Sequence, residues 1–243
     1  MFNVPYSLPS YIFGPKWFYG FDSVTEAIGV IICALLVFYS YRCYKFTSEK
    51  KYSYFSISFL SLMLGFISKV LGSLTIYEPS INKSPVGSAF HSAFSWITPD
   101  LINGLAFIFY IFFMTMGFMM LFLIVSKLTW KDKRVIAMLM YSVFVATWLG
   151  VVHYQLFYLT TFVMLCFITY SYFINYLELK TRNCFLVALS FGILLISHAF
   201  FVFVIYSKQF YVIAEIVQLI GFLFLLIPFI IIFIKKPKNK LIK

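Results

Sequence analysis

Residues 55–77 read FSISFLSLMLGFISKVLGSLTIY, an apolar run broken by a single cation, Lys69, with Gly65 before it and Gly72 after it. At about 1.5 Å per residue, a helix of this length crosses the hydrocarbon of a bilayer. A lysine inside such a helix is costly, and an intramembrane ionisable group is by default a functional-site candidate whose partner has to be found. Every other lysine and arginine of the chain falls in a connection or a tail.

The rest of the composition agrees with that stretch. Of 243 residues, 63% are hydrophobic and 11% charged, which lies outside the mixture of a soluble globular domain. The 32 Phe and 18 Tyr suit lipid-facing surfaces and interfacial belts better than one soluble core. The sequence therefore reads as an all-α integral membrane protein. Its predicted spans are 21–41, 52–77, 101–125, 135–152, 154–177, 185–206 and 210–234. An outer interfacial tail, 1–20, precedes them and a basic tail, 235–243, follows. The tail is too short to form an effector domain, and the proline-marked connection Glu78 to Asp100 is too poor in apolar periodicity to be a domain of its own.

The net charge of +11 sorts by loop. Alternate connections and the tail carry Arg42, Lys45, Lys50, Lys51, Lys127, Lys131, Lys133, Arg134, Lys180, Arg182, Lys235, Lys236, Lys238, Lys240 and Lys243, against Lys16, Lys83 and Lys208 on the other side. The basic side is expected to be cytoplasmic, leaving the N-terminus outside and placing the protein in the plasma (cytoplasmic) membrane. The expected partners are the bilayer, its anionic inner leaflet and a further membrane protein; nucleic acid needs no separate hypothesis. Cys33 and Cys166 lie in apolar helices and Cys43 and Cys184 at cytoplasmic helix ends, so no disulfide is expected.

Two halves of the chain echo each other. Tyr39-Ser40-Tyr41 ends the first span and Tyr170-Ser171-Tyr172 occupies the same place in the fifth, and Ile67-Ser68-Lys69 in the second aligns with Ile196-Ser197-His198 in the sixth. This reads as a 3+1+3 parallel repeat, an arrangement found in transporters with the binding site between the halves. In topology alone it resembles the opsin and small-sugar-transporter type of seven-helix protein. The motifs differ: the seventh span has no lysine for a retinal Schiff base, the third has no acidic residue within it, and the chain has no Pro-Gln pair. Receptor hallmarks also fail, since the third span ends Ser126-Lys127-Leu128 and Pro228 sits in Leu226-Ile227-Pro228-Phe229.

Counted from the outer helix ends, Lys69, His198 and Gln218 lie about 12 Å deep, Glu215 about 8 Å and Glu26 about 6 Å, with Asn103 near the mouth of the third span. These six are the candidate ligand or ion cavity. Lys69 is expected to pair with Glu26 or Glu215; alternatively the long second span lets it snorkel to the interface. Glu215 and Gln218 are three apart and share a face. His198 is expected to bond between helices. No cofactor or metal is expected, because the only histidines are His91, His153 and His198, two of them in outer connections. Ser197 beside His198 points to a different helix face, so the pair does not suggest a protease, and the sequence leans away from an enzyme. The leading expectation is a sensor or small-ligand-binding membrane component acting through a partner. The alternatives are a small-solute or proton-coupled transporter and a structural subunit of a larger membrane complex.

Overall fold

Long apolar stretches have no water to satisfy their peptide groups in a bilayer, so each closes its hydrogen bonds internally as a helix. The structure, a computed structural model, describes residues 14–18, 20–76, 99–126 and 133–234. Within them run α1 (Phe21–Thr47), α2 (Lys50–Ile76), α3 (Pro99–Val125), α4 (Lys133–Val152), α5 (Tyr154–Leu179), α6 (Arg182–Val202) and α7 (Gln209–Ile234), with one-turn 3₁₀ helices at Lys16–Phe18 and Phe203–Ile205. Among the described residues, six segments are long and apolar enough to cross a membrane: Phe21–Thr47, Lys50–Ser73, Leu101–Val125, Tyr154–Leu179, Arg182–Ile205 and Gln209–Ile231. Ile136–Val152 is a shorter apolar helix. The molecule is a multi-pass helical membrane protein.

At most of the basic ends the helices outrun the predicted spans, α3 and α7 ending where predicted. Hydropathy marks where hydrocarbon ends, whereas a helix continues until its backbone is capped. Thus α1 runs past residue 41 to Thr47, with the Arg42 guanidinium 5.3 Å from the Phe38 ring centroid and the Lys45 ammonium 5.1 Å from that of Tyr41. Ser48 then turns left-handed, φ 56°, and its N–H reaches the Tyr44 carbonyl at 2.8 Å. The α5–α6 turn repeats this device: Lys180 adopts φ 50° and donates to the Tyr176 carbonyl at 2.8 Å.

Along the chain α1 packs on α2, α2 on α3, α5 on α6 and α6 on α7; α3 against α5 and α7 against α1 close a ring. α4 lies against α3 and α5. The closest approach is between α2 and α3, where small residues allow it. A Cβ on Gly117 would lie 2.6 Å from Leu62 Cδ2 and 3.1 Å from the Ser58 carbonyl oxygen, and one on Gly65 would lie 2.9 Å from Met114 Cγ. Ser61 Oγ ties the pair by donating to the Phe113 carbonyl at 2.8 Å. The ring encloses buried Phe59, Phe118, Phe157, Phe191, Phe201 and Phe222. Pro228 lies inside α7, which continues through it.

Candidate polar site

The candidate residues sit at the end of the bundle that carries the α6–α7 turn. Glu26 is in the second turn of α1, Lys69 seven residues before the end of α2, and Glu215 in the second turn of α7. α1 packs on both α2 and α7 and runs parallel to α7 and antiparallel to α2, which brings the three to one level. Lys69 Nζ donates a hydrogen bond to Glu215 Oε1 and lies 3.0 Å from Glu26 Oε1. The sequence expectation was one partner or the other; the ammonium bridges both.

The cluster is dry. The Lys69 side chain is 12% exposed, that of Glu215 3% and that of Glu26 0%. Lys69 therefore turns into the bundle rather than snorkelling out of it. Removing each ion from water costs several kcal/mol. An ammonium about 3 Å from a carboxylate returns about 5 kcal/mol at an effective dielectric constant of about 20, so pairing is what keeps these groups inside.

The two carboxylates are held unequally. Glu215 accepts the aligned hydrogen bond, whereas Glu26 Oε1 meets the ammonium as an ion pair at 3.0 Å without that alignment, and the only donor described for Oε2 is the Ser73 hydroxyl at 3.4 Å. Asp22, one turn earlier on α1, is engaged at the helix start by the backbone N–H groups of Gly20 and Ser23, at 2.9 and 2.8 Å. Its charge stands on the Glu26 side of the cluster.

Aromatic rings complete the surround. Lys69 Nζ lies 5.3 Å from the ring centroid of Tyr211, 5.4 Å from Tyr110 and 5.9 Å from Phe201, within reach of the negative ring faces. Tyr110 shares a hydrogen bond with Tyr158 of α5. Phe18, from the segment before α1, packs edge-on against Tyr211 with centroids 6.4 Å apart and is itself buried.

The remaining candidates stand around this centre rather than in it. Gln218 is buried on the Glu215 face of α7, and its Nε2 has no hydrogen-bond partner. His198 hydrogen-bonds through Nδ1 to the Leu194 carbonyl at 3.0 Å, within its own helix rather than between helices as expected, and packs edge-on to Phe118 at 5.2 Å. Adjacent Ser197 is buried without a partner. Asn103 is half-buried on the face of α3 that carries Tyr110 two turns further in, and it joins none of the cluster's described ion pairs or hydrogen bonds. His91 lies outside the described residues, and His153 is exposed at the start of α5.

The sequence reading passed over Tyr110, Tyr158, Tyr211, Phe201 and Ser73. Tyr211 was within its reach, because Tyr211, Glu215, Gln218 and Phe222 follow the spacing of one helical face. Beneath the cluster the core is sealed by aromatic pairs: Phe66 with Phe222 at 5.4 Å and Phe59 with Phe229 at 6.2 Å. Among the described residues no charged side chain is buried below that level.

The fold and this site define a polytopic helical membrane protein with a buried ionic cluster near one face. No family model, curated protein or solved structure matches the chain.

Proposed function

We propose that the protein is a seven-span membrane protein, N-terminus outside, whose Lys69 cluster binds a small ligand or ion from the outer side and passes the response to a partner protein. The observation that carries this reading is the unequal, one-sided cluster itself. A lysine and two glutamates meet near one end of the bundle, while the other end is closed by Phe59, Phe66, Phe222 and Phe229. A buried ionic cluster set near one end of the bundle, with aromatic packing below it, is what supports one-sided sensing. Gln218 Nε2 and Ser197 Oγ, both buried without partners, add capacity for a ligand that accepts or donates hydrogen bonds. The 15-to-3 sorting of basic residues supports the orientation.

Alternating-access transport is the second reading, favoured by the helix neighbours. A two-fold relation between α1–α3 and α5–α7 would exchange the α3–α5 contact with the α7–α1 contact, and both exist. It would also exchange the two left-handed turns at Ser48 and Lys180, each capped onto a tyrosine carbonyl four residues back.

The test is access to Lys69. In sealed vesicles of known sidedness, Lys69→Cys made together with Glu215→Gln, in a background with Cys33, Cys43, Cys166 and Cys184 replaced, is treated with a water-soluble, cationic thiol reagent. Labelling from the outer side alone is the expected result. Reaction from both sides favours transport, and reaction from neither overturns ligand binding at this cluster.

A further inference from the structure

With all three groups ionised, the Glu26–Lys69–Glu215 cluster has one positive charge for two negative ones. Among the described residues, nothing facing it supplies the missing charge. α3 and α5 contribute the Tyr110 and Tyr158 hydroxyls; α7 contributes Tyr211; α2 contributes Ser73 beside Lys69. On α6, Phe201 faces the ammonium, and the imidazole of His198 is held by the Leu194 carbonyl among Phe118, Tyr158 and Phe201. On α1, Asp22 adds a further negative charge one turn away, and Lys208 at the α6–α7 turn is exposed. A net charge in so dry a site is unfavourable unless it is neutralised.

The geometry indicates where neutralisation falls. Glu215 has the ammonium in hydrogen-bonding alignment, whereas Glu26 Oε1, in a residue 1% exposed, meets the same ammonium at 3.0 Å as an ion pair without an aligned hydrogen bond. We propose that the cluster binds one exchangeable proton, carried on Glu26. The step is simple: a proton from the aqueous phase forms an O–H bond on the Glu26 carboxylate, giving a neutral acid beside the neutral Lys69–Glu215 pair. Burial of Glu26 and Glu215 leaves Lys69 as the most exposed side chain of the cluster. The inference rests on reading the cluster as a binding site and names the proton as an ion bound there.

Charge balance makes the test a count. Infrared spectra of the protein in lipid nanodiscs, in potassium buffer at neutral pH with hydrogen–deuterium exchange, report the carbonyl stretch of each buried protonated carboxyl. One such band is expected in the wild type. None is expected in Glu26→Gln, where Lys69 pairs with Glu215, and none in Glu215→Gln, where it pairs with Glu26. Two are expected in Lys69→Met. The two glutamine variants preserve a neutral pair and shape, so they carry the test if Lys69→Met does not fold. A wild type without the band, or a band that survives both glutamine substitutions, overturns the proposal. So does a wild type without the band whose melting temperature rises specifically with sodium, since a metal ion then supplies the charge. The count is independent of thiol access to Lys69, so this inference and the proposed function fail by different observations.

Discussion

Lys69 is held by charge, by hydrogen bonding and by ring faces at once, and these contributions respond differently to substitution. Lys69→Met keeps the stem's packing and removes the ammonium, leaving two buried carboxyls without a cation. Breaking a buried pair in this way costs about 3–5 kcal/mol. The loss should be largest at alkaline pH and smaller as pH falls, because the abandoned carboxylates are tolerated only once protonated. Lys69→Met combined with Glu26→Gln and Glu215→Gln should recover most of that stability. Thermal melting in detergent across pH checks both expectations, and a single variant as stable as the wild type at every pH would show that the cluster contributes nothing to folding. The position of Lys69 in an apolar run was legible in sequence because it is the one cation within a predicted span, but whether it turns inward or snorkels was not. Its two-partner geometry was not, because depth counting orders residues along helices but does not reveal which helix faces meet. Tyr110 and Tyr158 were hidden for a related reason: among 18 tyrosines, nothing in the sequence separates a ring that faces an ammonium from one that faces lipid.

Helix placement was largely visible as hydropathy, while the helix ends and the tight seams were not. The turns at Ser48 and Lys180 place side-chain-bearing residues at φ 56° and 50°, where glycine carries no Cβ penalty. Ser48→Gly and Lys180→Gly should each stabilise the protein by about 0.5–1 kcal/mol, a gain read as a raised melting temperature. A fall in both would mean that these side chains do something at the membrane edge that the turn geometry does not explain. The α2–α3 seam gives the opposite sign. At Gly117 an added methyl meets Leu62 at 2.6 Å and the Ser58 carbonyl at 3.1 Å, so Gly117→Ala should cost about 1–3 kcal/mol despite alanine's better helix propensity. Gly192, whose nearest neighbour would be Thr169 Cγ2 at 3.9 Å, is the control: alanine there should be neutral or mildly stabilising. Sequence showed that Gly65 and Gly72 flank Lys69, but not that Gly117 faces Leu62, since close approach depends on which helices become neighbours.

At the scale of the whole molecule, the site's function depends on which side of the membrane the cluster's end of the bundle faces. The cluster lies toward the α6–α7 turn, which carries Lys208; the opposite end carries Arg42, Lys45, Lys50, Lys51, Lys180 and Arg182. Positive charge retained on the cytoplasmic side during insertion would put Lys180 inside and Lys208 outside. Single cysteines at Lys180 and Lys208, in a background with Cys33, Cys43, Cys166 and Cys184 replaced, should therefore label asymmetrically with a membrane-impermeant thiol reagent. Lys208→Cys should react in intact cells and Lys180→Cys only after permeabilisation. The reverse pattern would turn the Lys69 cluster toward the cytoplasm and exclude sensing of an external ligand. Equal labelling of both sites in intact cells would break the link between charge sorting and orientation. The same pair of cysteines also tests the span count between them: α6 alone separates position 180 from position 208, so opposite sidedness requires Arg182–Ile205 to cross the membrane.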